Sequence, residues 1–152
     1  MLDATALNAA FTADVGYLDE ITPADPAAGA NLTVDLGPGR FVVVNSVSVV
    51  LATDGNAANR FLAVEYLARG GLAVMRNAAT VLITANTSAT TFQFDNQHTV
   101  SEWNTSTPVF APLMPVPLSA GWKLKLTLDN IQVGDTLTTT RILVTRFFAP
   151  DD

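Results

Sequence analysis

The clearest pattern in the chain lies in its last third. Trp122-Lys123-Leu124-Lys125-Leu126-Thr127-Leu128 alternates apolar and polar residues, as a strand with one buried face does. Turn residues follow at Asp129-Asn130 and Val133-Gly134-Asp135, and a second long run extends from Thr136 to Phe148. Parity puts Trp122, Leu124, Leu126 and Leu128 on the core side, with Lys123, Lys125 and Thr127 outward. From Ile142 to Phe148 both parities are apolar, so this strand is expected to touch something beyond its own core.

The same style of pattern begins near Asn31. Strands are predicted over Leu32–Leu36, Arg40–Thr53, Arg60–Arg69, Leu72–Arg76, Thr80–Ala85 and Thr90–Asp95, then more loosely around Val109–Ala111 and Met114–Leu118. Asn45-Ser46 interrupts the long second run and predicts a bulge or kink. Gly37-Pro38-Gly39, Asp54-Gly55-Asn56 and Gly70-Gly71 mark turns. Val47, Val49 and Leu51 share one face, as do Leu62, Val64 and Tyr66, which leaves Glu65 outward. Strands at this spacing, with no convincing helix, predict an all-β fold: a single β-sandwich of jelly-roll type.

Residues 1–30 read differently. They are rich in Ala, Asp and Pro, with spaced apolar residues at Leu2, Leu7, Phe11, Val15, Tyr17 and Leu18. The segment is too short and poorly capped for a lone helix. Disordered tails usually lack such spaced large apolar groups. The expectation is an extended arm and linker (1–30) that binds a neighbouring protein, a sandwich domain (31–148), and a short tail (149–152).

Composition narrows the chemistry. At 152 residues, one domain can bury roughly 68–70% of its unfolded surface. The sequence has no cysteine, so disulfides, thiolate metal sites and thiol nucleophiles are all ruled out. Its net charge is −6 and its Lys and Arg are scattered, which argues against nucleic-acid binding. Only 14% of residues are charged, below the usual quarter, which suits surfaces that pack on protein. The longest apolar stretch, Phe41 to Ala52, is broken by Asn45, Ser46 and Ser48 and cannot span a bilayer. The start, Met1-Leu2-Asp3, has no secretory character, so synthesis in a cytoplasm is expected.

Candidate reactive groups are few. His98 is the only imidazole, and zinc needs at least three suitable ligands. No Gly-x-Ser-x-Gly elbow is present, and nothing pairs Glu65 with Glu102 as glycosidase carboxylates. No catalytic residue, metal or cofactor is expected. The loops at Asp54/Asn56 and Asp129/Asp135 offer oxygens that could attract calcium but lack EF-hand spacing, and they read first as turns. Trp103, beside Glu102 and Asn104, is a weak sugar-stacking candidate. Asn31, Asn86 and Asn104 head glycosylation triplets that imply nothing without secretion.

The C-terminal half carries a resemblance. Ala120-Gly121-Trp122-Lys123-Leu124-Lys125-Leu126, Val133-Gly134-Asp135-Thr136-Leu137 and Arg141-Ile142-Leu143-Val144 resemble small jelly-roll virion proteins of tailed bacteriophages. So do Val47-Ser48-Val49-Val50-Leu51 and Ala58-Asn59-Arg60-Phe61-Leu62. The resemblance covers roughly residues 40–148 and rests on the order of strands and turns. It implies a non-enzymatic decoration or cement protein on the capsid exterior. Its partners would be the major capsid protein and further copies of itself, as a trimer, with no membrane or nucleic-acid partner. Another virion component, such as a head-fibre base, connector or tail protein, and a carbohydrate-binding sandwich for host attachment are the alternatives.

Overall fold

The computed structural model of the chain describes residues 16–98, 100–104 and 107–148, with the backbone alone for 102–104 and 107. Eleven strands follow one another: β1 (Tyr17–Ile21), β2 (Leu32–Asp35), β3 (Phe41–Ala52), β4 (Leu62–Leu67), β5 (Ala73–Ala78), β6 (Thr90–Asp95), β7 (Glu102–Asn104), β8 (Thr107–Pro112), β9 (Pro117–Ser119), β10 (Lys123–Leu128) and β11 (Thr136–Phe147). They form two sheets, ordered β1-β11-β3-β6-β8-β7 (with β9 also on β3) and β2-β10-β4-β5. The described residues contain no helix.

Two antiparallel pairs set the winding. β11 pairs with β3 in the larger sheet, and β10 pairs with β4 in the smaller one. The chain therefore crosses between sheets from β3 to β4 and returns from β10 to β11. These two crossings lie side by side, as one broad ribbon folded over the core in the manner of a jelly roll. Within the larger sheet β6 and β8 run parallel. The chain leaves β6, returns as β7 at the sheet edge, and inserts β8 antiparallel to β7.

The core is the space between the sheets. Val47, Val49, Phe92 and Phe94 of the larger sheet and Leu62, Val64, Tyr66 and Leu126 of the smaller are all fully buried within one cluster. Each such side chain contributes about 1.5–3 kcal/mol through burial. The expected faces of β3, β4 and β10 hold: Leu124, Leu126 and Leu128 are buried, and Trp122, one residue before β10, packs partly against the cluster. Glu65 shares the outer face with its register partners Lys125 and Arg76, yet these neighbours and Thr127 nearly cover it.

The ribbon of β3 and β11 carries two bulges. Register shifts fall between Thr138 and Arg141 and again between Leu143 and Val144. The first inserts a residue into β11, where Thr139 has a positive φ of 52°. The second leaves Asn45 of β3 unmatched, at the predicted interruption. Each bulge reverses the parity of its strand. Leu137 is buried before the bulge, and Ile142, Val144 and Arg146 are buried after it.

Three expectations are corrected. Residues 1–30 do not all stand apart from the sandwich, because Tyr17–Ile21 is β1 and pairs with β11. The following linker is tied down: Thr139 N–H donates to Asp25, and Gly29 N–H donates to the Asp135 carbonyl. Thr80–Ala85 is not a strand but a loop with a single bridge between Arg60 and Ile83, whose buried Ile83 plugs the core.

Candidate interaction site

The two loops that offered calcium ligands converge instead on an arginine. Arg60 is fully buried. Its Nε donates to Asp135 Oδ2 at 2.7 Å and its Nη2 to Asp54 Oδ1 at 2.8 Å. Asp135 also accepts from the N–H groups of Asp54 and Gln132, and Asp54 from Asn56 and Gly134. Gly134 is required for this approach, since a Cβ there would lie 2.7 Å from Asp54 Cβ. The carboxylates are occupied by one cation and by backbone donors, an arrangement that closes the β3–β4 and β10–β11 loops together. Asp129, from the other side of the same turn, pairs with Arg76 at 2.5 Å. Among the described residues no group of three or more His, Cys, Asp or Glu side chains is placed to hold a metal.

His98 sits just past β6. Its Nδ1 lies 2.6 Å from Asp95 Oδ1, and its ring stacks on Phe110 at 4.3 Å. Burial alone would raise the Asp95 pKa, but hydrogen bonds from His98 and the Gln97 N–H outweigh it and hold the carboxyl below the usual range. The imidazole is thus fixed in orientation by a carboxylate and a ring.

His98 lines a cleft of about 480 Å³ between β5, the last strand of the smaller sheet, and the end of β8 in the larger. One wall is β5, through Arg76, Asn77 and Ala78, and the other is Pro112–Pro115, at and beyond the end of β8. This volume falls within the range of ligand sites, roughly 300–1,000 Å³. Asn77 faces inward beside Val64, its register partner. Its Oδ1 accepts the Met114 N–H at 3.0 Å, which fixes the amide, and its buried Nδ2 has no hydrogen-bond partner. The polar side chains lining the cleft have partners of their own: Arg76 pairs with Glu65 and Asp129, and His98 Nδ1 bonds Asp95.

Large apolar side chains gather around this open side. Leu72 and Val74 of the β4–β5 hairpin are 73% and 57% exposed, and Met114 in the cleft wall is 56% exposed. Val74 is the extra residue at a register shift between β4 and β5. β5 is the last strand of its sheet, so one side of it offers main-chain groups to an incoming strand.

Of the residues expected to bind a partner, Tyr17 and Leu18 lie on β1 at the opposite edge, 48% and 64% exposed. Tyr17 stacks on Phe148. Leu2, Leu7, Phe11 and Val15 lie outside the described residues, as does the side chain of Trp103. The cleft was not predicted. Its walls come from segments more than thirty residues apart, and each alone reads as an ordinary edge or proline-rich crossing.

The chain is an all-β sandwich, and solved structures show some likeness to it. The particle of infectious bursal disease virus aligns at a TM-score of 0.44 and 13% identity over 87% of this chain and 31% of that one. The VP2 subviral particle of the same virus aligns at 0.41 and 13%, over 90% and 34%. The chain thus spans about a third of the length of these proteins. No protein-family model and no curated protein sequence matches it.

Proposed function

We propose that the chain is a non-enzymatic structural protein of a virion, a decoration or cement protein that binds the major capsid protein on the outside of a tailed-phage shell. One observation carries this reading: exposed Leu72, Val74 and Met114 stand on and beside the open edge strand β5, while the buried charges are spent on one another. Exposed apolar groups rimming an unpaired edge mark a surface made for protein. The low overall charge and the resemblance to small jelly-roll virion proteins point the same way. A cement protein must bury at least about 1,000 Å² against its neighbours to hold them. Residues 1–15 add to that contact as an arm. Residues 16–148 supply the rigid body.

The test is physical location. In gradient-purified virions the chain should co-sediment in fixed ratio to the shell protein and account for density on the particle exterior by cryo-electron microscopy. Its absence from purified virions would overturn the reading.

A further inference from the structure

We infer that the cleft beside β5 is the socket for the N-terminal arm of a second copy of this chain, which seats there as an extended strand. The inference rests on the arm reading above and assigns the arm its place.

Chemistry selects the occupant. Beside Arg76, Asn77 and His98 the cleft is walled by Ala78, Pro112, Leu113, Met114 and Pro115, and Arg76 and His98 already have acidic partners. Such a site disfavours an ion and accepts uncharged chain. The buried Asn77 Nδ2 calls for an acceptor oxygen, which a peptide carbonyl provides. The free side of β5 supplies main-chain groups for strand addition. The sequence holds a fitting segment outside the described residues: Ala4 to Ala13 is an unbroken uncharged run containing Leu7 and Phe11. Extended, the five residues from Phe11 to Gly16 span at most about 17 Å, too short to bring Phe11 to a cleft beside β8 in its own chain.

Position selects the second copy. The chain enters the sandwich at β1, one edge of the larger sheet, whereas β8 lies four strands away on the other side, about 19 Å at normal strand spacing. Arm and socket thus sit on opposite flanks. Each copy gives its arm in one direction and receives one from the other, a head-to-tail contact that closes into a ring when the rotation permits.

The chain has no cysteine, so disulfide trapping in the full-length protein is unambiguous. One preparation carries Phe11→Cys, a second Met114→Cys, and a third Val133→Cys, which is 82% exposed in the β10–β11 turn and does not line the cleft. Mixing the first with the second under mild oxidation should give a cross-linked dimer. Mixing the first with the third should not. Equal yields in the two mixtures overturn the socket. So does a double variant, Phe11→Cys with Met114→Cys, that closes only within single chains. If a chain lacking residues 1–15 also fails to join particles while no specific cross-link forms, the arm reading survives and the socket alone falls.

Discussion

A guanidinium taken out of water must have its charge answered where it lies. Arg60 meets that demand with Asp135 and Asp54, and so locks two loops that carry no regular structure. Arg60→Leu should destabilise the fold by about 3–5 kcal/mol, because it strands the buried Asp135 carboxylate; urea unfolding measures it. Protonation of carboxylates should also weaken the fold. The Asp19 pKa is lowered by its hydrogen bond from Arg146. Burial would raise that of Asp54, but bonds from Asn56, Gly134 and Arg60 bring it down. Asp95 is lowered as well. All three titrate below the ordinary 3.8 in the folded state. Their contribution is therefore whole above that pH and is lost as the pH falls through the folded-state values. The urea midpoint should hold steady from neutral pH to about 5 and drop below about 4.

At the scale of the element, β10 sets the clearest test. Leu126→Ala should cost about 2–5 kcal/mol, and Lys125→Ala no more than about 0.5 kcal/mol. The reverse order in a denaturation series would mean the strand is inside out. Thr139 offers the opposite sign. It is β-branched and held at a φ of 52°, where glycine sits without penalty, so Thr139→Gly should stabilise by about 1 kcal/mol. Such elements divide by how far the sequence reveals them. The faces of β3, β4 and β10 were legible because alternation is local. So was the interruption at Asn45. The bulge at Thr139 was not, since Thr138 to Thr140 is uniform in type. The loop over 80–85 has strand-like residues but only one bridging neighbour, and partners are invisible in a sequence. β1 was missed for the same reason: Tyr17–Ile21 becomes a strand by pairing with residues more than a hundred positions away.

For the whole molecule, the place where the arm begins decides what truncation does. Removing residues 1–15 should leave the thermal midpoint of the sandwich unchanged while weakening attachment to particles. Removing residues 1–30 also takes away β1, the Asp19–Arg146 ion pair and the Asp25 bond to Thr139. That chain should melt earlier, with the β11 edge bared and prone to association. A calorimetric scan of the two truncations separates an appendage from a structural strand. The cleft belongs to this scale as well. It exists only where β5 and the chain after β8 are brought together, and no window of sequence contains both.

The two bulges of the β3–β11 ribbon act like a frameshift and its suppressor. Thr136 opposes Ala52 at one end and Phe147 opposes Phe41 at the other, the pairing a ribbon with no insertion would have. Only the rungs between Ser46 and Ser48 are read one step out of phase. The errors cancel, so the turns at both ends are indifferent to them. Asn45 has no partner on β11, so deleting it alone would be absorbed on the spot: Val44 would follow Ser46 in strict alternation, and Val42 and Val44 would keep their partners and their inward faces. Deleting a paired residue such as Val43 instead would turn the side chains beyond it inside out. The ribbon can therefore change length at its bulges and nowhere else.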